Sequence, residues 1–380
     1  MPLQLPTTSP GVFIFWRWLG IIKLTRIEVY MRSAIRVVFP MVILGVIMMS
    51  CRHFEKNTAS GSTQPHIEND SSFWLKETRG IRDILQDRKG NLWFSSPDYV
   101  AMFDGKTLVY FTEKDGLGSP GNLHEDADGK IWVENGTQVF VYHGQGFSEI
   151  RLDSIAGPNG LWMQRGLSPT DTTYAAPGLY EVRSGNAVFH PYPVKEHTDN
   201  KYLYFPSTKA AIGKDSTVWM GTMERVFGFK DQSFVSIGRK EMGRHEDKRQ
   251  MGIRGIFVDS EGKLWIADNG AGVFVYNGKE TLNFTRKHNL DEGSNAGSTL
   301  HRAFSVSEDA AGTMWFGTVY SGIWSYHPKT GIFKNYTADN GVKSDNIWTI
   351  YKTREGQLLF AGESPGAVYI WNGNTFIRKF

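Results

Sequence analysis

The sequence repeats one short phrase, and this repetition limits the possible folds more than any other feature. A Gly, two further residues and a Trp within an apolar triplet occur as GNLWFS, GKIWV, GKLWIA and GTMWFG. A unit that recurs roughly every 40 to 45 residues indicates a repeat architecture, because one such unit cannot bury its apolar face alone. The Trp, or the residue expected to replace it, occupies seven positions: Trp93, Trp132, Tyr174, Trp219, Trp265, Trp315 and Leu359.

Each unit contains the signals of four β-strands. A short apolar strand precedes the Trp-bearing strand and ends in Asp-x-x-Gly in four copies, where Asp opens a turn and Gly closes it. Two alternating segments follow, joined by hairpin-turn dipeptides such as Asn277-Gly278. Four strands per unit and seven units predict an all-β, seven-bladed β-propeller over residues 73–380. The repeated aromatic residue would then pack between neighbouring blades, and residues 73–75 would lie near residues 375–380 where the ring closes.

The N-terminal region is typical of a targeting segment. Residues 31–50 combine Arg32 and Arg36 with an apolar run over residues 37–49 and end in Ser50, next to the single cysteine, Cys51. This segment resembles a bacterial lipoprotein signal peptide, which implies cleavage before Cys51 and its acylation, so that the chain is anchored in a lipid bilayer. The alternatives are an uncleaved anchor or a buried free thiol. We interpret residues 1–30 as a gene-model extension ahead of Met31, and residues 51–72 as a flexible tether.

The charge balance argues against a nucleic-acid partner. The formal net charge is +3, but residues 1–50 hold five of the 42 basic side chains and only one of the 39 acidic ones. The remainder is close to neutral, whereas proteins that bind nucleic acids carry basic patches.

The stretches DRKGNLWF and EDAAGTMWFGTVYSGIWSYHPKTGIFKNYTADNGV resemble the two-component-regulator propeller repeat. The resemblance covers residues 73–380 and implies a sensor-type propeller of the cell envelope of a Gram-negative bacterium. Known members precede a transmembrane helix and a histidine kinase and sense glycans. Because this sequence ends at Phe380, at the end of a blade, we expect a stand-alone periplasmic or outer-membrane lipoprotein that binds a ligand.

Aligning the units by their markers predicts which residues line the channel mouth. The position ten before each marker is polar in six of seven units, and the position before it is basic or aromatic in several. Polar groups beside aromatic rings suit a sugar or another small polar ligand, although the polar row could simply face channel water. The expected ligand-binding residues are Arg82, Asp83, Asn122, Gln164, Lys209, Arg254, Phe304 and Trp348.

Two other functional classes remain open. The sequence lacks H-E-x-x-H, G-x-S-x-G and P-loop motifs, so we assign no catalytic residue, metal or cofactor. Streptogramin lyases have a similar Trp-containing repeat and need a histidine general base and a metal near the channel, and His124 and His301 lie on the strands that would supply such a histidine. Alternatively, the charged segment 238–252 could bind a partner protein in an envelope signalling or uptake system.

Overall fold

The computed structural model describes residues 66–68, 73–151, 160–166, 176–183, 186–193, 201–244, 251–291 and 299–380. Of the sequence predictions, the gene-model extension, the signal peptide, Cys51 and Tyr174 lie outside the described residues. Three residues of the proposed tether are described: His66–Glu68 forms a strand, β1, that pairs antiparallel with the outer strand of the first blade.

The chain is a seven-bladed β-propeller of four-stranded antiparallel blades, as the repeat predicts. Blade 1 contains β2 (Asp83–Gln86), β3 (Leu92–Ser95), β4 (Val100–Phe103) and β5 (Leu108–Phe111). Blade 2 contains β6 (Asn122–Glu125), β7 (Ile131–Glu134), β8 (Val139–Tyr142) and β9 (Phe147–Ile150). The described strands of blade 3 are β10 (Leu161–Arg165), β11 (Gly178–Arg183) and β12 (Asn186–Pro191). Blade 4 contains β13 (Ala211–Ile212), β14 (Val218–Gly221), β15 (Val226–Lys230) and β16 (Ser233–Ile237).

The second half of the ring repeats the same order. Blade 5 contains β17 (Ile253–Val258), β18 (Leu264–Asp268), β19 (Gly272–Tyr276) and β20 (Thr281–Asn283). Blade 6 contains β21 (Ala303–Glu308), β22 (Met314–Thr318), β23 (Ile323–His327) and β24 (Ile332–Tyr336). Blade 7 contains β25 (Asn346–Lys352), β26 (Leu358–Glu363), β27 (Val368–Trp371) and β28 (Phe376–Arg378). The first strands of neighbouring blades contact one another and form the inner wall of the ring.

In the described residues, helical structure is confined to short pieces between strands. The α-helix α1 (Phe284–Lys287) follows β20, and 3₁₀ turns occupy Glu113–Asp115, Lys201–Tyr204 and Ala338–Asn340. None of the helices in the described ranges has both the length and the apolar character needed to cross a bilayer.

The Asp-x-x-Gly phrase builds a turn and also fixes the Trp that follows it. In blade 5, Asp259 Oδ1 accepts the backbone N–H groups of Glu261 and Lys263, while its Oδ2 accepts Trp265 Nε1–H at 2.7 Å. The same bond joins Asp to Trp in three other blades, at 2.8–2.9 Å. The turn role of this Asp is confirmed, and the bond explains why Asp and Trp recur six residues apart.

The repeated aromatic residues pack between blades. Trp265 of blade 5 is buried against Phe316 and Met314 of blade 6. Equivalent clusters hold the markers at the other described junctions: Trp93, Trp132, Trp219, Trp315 and Leu359. A blade that is apolar on both faces thereby has both faces buried by its neighbours. The ring is therefore stable where a single blade is not.

The sequence alignment of blade 3 is wrong. In blade 1 the Trp-bearing strand pairs with the third strand so that Trp93 lies opposite Met102. The strand β10 pairs with β11 in the same way, with Trp162 opposite Glu181. Trp162 also packs against blade 4, as the other markers pack against their neighbours. It is therefore the blade 3 marker that we had assigned to Tyr174.

Ring closure joins blades 7 and 1 through side chains and a short backbone contact. All four strands of blade 7 come from residues 346–378. Phe380 packs against Phe94 and Phe103 of blade 1, with ring centroids 4.9 and 5.2 Å apart. The guanidinium carbon of Arg378 lies 4.4 Å from the ring centroid of Trp74. The expected proximity of residues 73–75 to the C-terminal segment is confirmed.

Candidate functional site

The inner strands of blades 5, 6 and 7 share a local irregularity at the face where they begin, which we call the upper face. In each blade the ladder advances by two residues on the inner strand and by one on its partner. The extra residue of each bulge is, in turn, Arg254, Phe304 and Trp348. Bulges of this kind re-aim side chains and are common beside functional sites. Three consecutive bulges thus deliver three predicted site residues to one place.

These residues meet side chains of blades 1 and 7 in a compact group around the Trp348 ring. The guanidinium carbon of Arg82 lies 3.5 Å from the centroid of that ring. The Phe304 ring lies 4.4 Å from it, and the guanidinium carbon of Arg254 lies 5.8 Å from it. We call this group, completed by Asn346 and Glu363, the mouth cluster.

Close backbone approach allows the bulged strands to converge. Gly255 follows the bulged residue of blade 5 and faces the inner strand of blade 6. A Cβ atom added there would lie 2.6 Å from the carbonyl oxygen of Phe304, which is closer than van der Waals contact permits. Glycine is therefore needed where blades 5 and 6 meet beside the mouth cluster.

Glu363, at the end of β26, organises the cluster. Its carboxylate accepts two bonds from Arg82, at 3.0 and 3.2 Å, and one from Asn346 at 3.1 Å. It also accepts the indole N–H of Trp348. A fork-to-fork pair of this type fixes the orientation of both partners. Arg82 thus covers one face of the Trp348 ring.

Two buried polar atoms of the mouth cluster make no hydrogen bond to the rest of the described chain. They are the Nε of Arg254, a donor, and the Oδ1 of Asn346, an acceptor. Burial lowers the pKa of Arg254, and the neighbouring Arg82 lowers it further. Buried polar atoms in folded proteins nearly always have partners, so an exception calls for an ordered water, a bound ligand, local strain or a functional role.

The structure also brings together two predicted residues from opposite sides of the ring. Lys209 of blade 4 and Asp83 of blade 1 form an ion pair, with Nζ 2.7 Å from Oδ2. The same carboxylate oxygen accepts the backbone N–H of Leu123 at 2.7 Å. The pair therefore spans the central channel. Asn122 begins β6 and is half-buried at the same level.

Gln164 does not lie on an inner strand, which corrects its predicted position. It is on β10, the Trp-bearing strand of blade 3, and is buried. Its amide N–H groups donate to the carbonyl oxygens of Thr208 and Gly221 in blade 4, at 3.0 and 3.1 Å. The side chain thus joins two blades and does not face the channel.

The structure also places the residues of the two alternative functions. His124 Nε2 lies 2.9 Å from Glu134 Oε2. Within the described ranges, no group of three or more His, Cys, Asp or Glu side chains is positioned to hold a metal ion. Met242 and Met251, near the two ends of segment 238–252, are buried in the core between blades 4 and 5. Residues 245–250 of that segment lie outside the described residues.

A separate cleft of about 710 Å³ lies between blades 5 and 6 at the lower face, where the Asp-x-x-Gly turns are. Its lining includes His288, Lys287 and Glu308. It shares no residue with the mouth cluster. We place the candidate site at the mouth cluster because orphaned polar atoms and three bulges coincide there.

Glu363 and Asn346 were missed by sequence reasoning. Both belong to blade 7, but Glu363 ends the second strand, whereas the alignment counted only positions on the inner strand. A parallel count along the second strands would have shown acidic residues near their ends, at Glu134, Asp268 and Glu363. Nothing in the sequence indicates which of these faces a guanidinium group.

Comparisons with known proteins agree with this architecture. Residues 77–98 match the family described as two component regulator propeller. No curated protein matches the chain in sequence. The extracellular domain of BT3049 from B. thetaiotaomicron, described as a hybrid two component system, superposes with a TM-score of 0.56 at 18% identity. The match covers 85% of this chain and 47% of that one, so the chain spans about half the length of that domain.

Two propellers of other kinds have similar folds. Catalytically inactive virginiamycin B lyase from Staphylococcus aureus, solved with quinupristin, has a TM-score of 0.51 at 13% identity, covering 80% of this chain and 97% of the lyase. The WD40 β-propeller domain of Doa1 has a TM-score of 0.50 at 11% identity, covering 78% and 94%. Likeness at these identities concerns the fold. Residues 77–98 thus match the two-component-regulator propeller repeat, and the fold is a seven-bladed β-propeller.

Proposed function

We propose that this protein is a ligand-binding propeller of the cell envelope, and that the mouth cluster takes a small polar ligand such as a glycan fragment. The observation that carries the proposal is the pair of orphaned polar atoms, Arg254 Nε and Asn346 Oδ1. One is a donor and the other an acceptor, which matches the hydrogen-bonding capacity of a hydroxyl group. A sugar presents several such hydroxyls on a small frame.

The packing of Arg82 and Arg254 on the Trp348 ring determines how the mouth cluster would bind a ligand. Arg82 and Arg254 present fixed N–H groups at the channel mouth, and Trp348 supports both guanidiniums. A guanidinium that is packed on a ring loses little further freedom when it donates to a ligand, because its fork is already oriented. The aromatic rings thus act here mainly by positioning the arginines, and the polar edges contact the ligand.

Replacing Trp348 by Ala should weaken ligand binding about tenfold or more, because it removes the ring on which both guanidiniums lie; a cation–π contact that is partly shielded from water contributes roughly 1–2 kcal/mol. Trp74→Ala is the matched control, since Trp74 is exposed and lies outside the mouth cluster. The measurement is a thermal-shift screen followed by titration calorimetry with mono- and oligosaccharides, with quinupristin as a further compound.

The outcomes separate the functional classes. Binding of a sugar that Trp348→Ala weakens and Trp74→Ala preserves supports the proposal. Turnover of quinupristin would favour a lyase instead, and His124→Ala should then abolish it. A wild-type protein whose melting temperature no sugar changes, and which binds no sugar by calorimetry, contradicts the proposal.

The proposed location rests on the sequence before Cys51 and on the envelope setting of the relative from B. thetaiotaomicron, which is an extracellular domain. We propose that Cys51 is acylated and anchors the propeller to a membrane, from which a bound ligand could be reported to a signalling or uptake partner. Two or more acyl chains are needed for stable anchoring, because a single chain binds only marginally.

Substituting Cys51→Ala should abolish incorporation of labelled palmitate and release the protein from the membrane fraction of a Gram-negative host. Cys51 is the only cysteine in the chain, so no other thiol could take the label. The expression level of both forms should be matched by immunoblot. Label that persists in the Cys51→Ala protein contradicts acylation at this position.

A further inference from the structure

The charges of the mouth cluster do not balance. It contains two guanidinium groups, those of Arg82 and Arg254, and among the described residues a single carboxylate forms an ion pair with either of them. That carboxylate, Glu363, is bound to Arg82 through both of its oxygens. Asp268 attracts Arg254 electrostatically but is itself bound to the Arg244 guanidinium and to the backbone N–H of Gly252. The cluster therefore has one more positive charge than its contacting carboxylate neutralises.

The uncompensated charge is on Arg254. Its guanidinium lies against the rings of Phe304 and Trp348, 5.7 and 5.8 Å from their centroids. Arg82 lies over the same Trp348 ring, and its positive charge repels that of Arg254. A partly buried cation without an ionic partner is costly, and proteins usually pair or neutralise such a group. The bulge at Arg254 holds it in this position.

We propose that Arg254 is an oxyanion subsite of the mouth cluster, and that the ligand is an acidic sugar whose carboxylate or sulfate group contacts this guanidinium. This inference rests on the proposed function, because it assigns a charge to the ligand of the same site. Planar guanidinium groups bind carboxylate and sulfate oxygens through two parallel N–H bonds, whereas a neutral sugar would leave the excess positive charge uncompensated.

The sugar frame and the anion can be tested separately. Titration calorimetry of the full chain would use D-glucuronate, D-glucose and sodium sulfate as probes. Glucuronate should bind at least tenfold more tightly than glucose, and added NaCl should weaken the binding of glucuronate more than that of glucose. Sulfate should compete with glucuronate.

The Arg254→Met variant should lose this preference, so that the glucuronate-to-glucose affinity ratio falls to about one. Glucose also loses the Nε–H donor of Arg254 and should bind more weakly, but by a smaller factor than glucuronate does. The melting temperature of the variant should equal or exceed that of the wild type, because the variant removes an unpaired cation. Arg302→Met is the matched control: Arg302 is an exposed arginine beside Tyr320, outside the mouth cluster, and its loss changes the net charge equally.

Each outcome decides the inference. A preference for glucuronate that Arg254→Met abolishes and Arg302→Met preserves supports it. Equal affinity of the wild type for glucose and glucuronate overturns it but leaves the proposed function intact. A preference that survives in Arg254→Met overturns it as well. Failure of both glucuronate and sulfate to bind also overturns it, and failure of glucose in addition counts against the proposed function.

Discussion

Replacing Trp265 by Ala should lower the free energy of unfolding by about 3–5 kcal/mol, which is the usual cost of truncating a large buried aromatic side chain. The Trp265 side chain is 5% exposed and fills the junction between blades 5 and 6. Its ring lies 5.0 Å from that of Phe284 and 5.7 Å from that of Phe316, measured between centroids. Truncation would leave a cavity that neighbouring strands, held in register by their ladders, cannot close.

Denaturant-induced unfolding would measure this loss, and two variants show where it comes from. Trp265→Phe keeps most of the ring but removes the N–H that Asp259 accepts, so it should cost about 1–3 kcal/mol for the orphaned carboxylate oxygen. Trp74→Ala should change stability by less than about 1 kcal/mol, because Trp74 is 53% exposed. A similarly small loss for Trp265→Ala would contradict its role between blades.

The number of blades was predictable because every junction requires the same turn and the same packing residue. Selection for one geometry at each junction leaves one phrase in the sequence, which spacing alone can reveal. Blade 3 was misaligned because it lacks a signal that four of the other six blades share: the residue six before Trp162 is Ala156, where those four have Asp. Tyr174 had a plausible spacing, and spacing could not distinguish it from the true marker.

The candidate site was predictable only in part, for a different reason. The inner-strand count found Arg82, Arg254, Phe304 and Trp348, because inner strands run alike in each blade. It could not find Glu363, which lies 281 residues from Arg82 in sequence and meets it only because the ring closes. Nor could it find the bulges, since no residue pattern in the inner strands distinguishes a bulged ladder from a regular one.

A second large effect is expected in the upper loops of blade 5, where a buried ion pair joins Arg244 to Asp268. Their side chains are 6% and 0% exposed, and the distance from the guanidinium nitrogen to Asp268 Oδ2 is 3.0 Å. The backbone N–H of Gly252 donates to the same oxygen at 3.1 Å. Burial raises the pKa of Asp268, while Arg244 and the backbone N–H of Gly252 act in the opposite direction.

Arg244→Met should therefore destabilise the fold by about 3–5 kcal/mol at pH 8, because it leaves the Asp268 carboxylate buried without its cation. Without Arg244 the pKa of Asp268 in the folded state rises further above its unfolded value. A carboxyl group with a raised folded-state pKa stabilises the fold at pH values below its unfolded-state pKa, and this effect is lost as the pH rises through the folded-state pKa. The loss of stability in Arg244→Met should therefore shrink as the pH falls. Urea unfolding at pH 8 and pH 5 would measure this change.

The double variant Arg244→Met, Asp268→Asn removes the charge as well, so it should recover most of the stability at pH 8 and show little dependence on pH. A deficit of the same size at both pH values in Arg244→Met would mean that Asp268 stays ionised without its partner, and that the loss comes from the packing of Arg244 rather than from its charge.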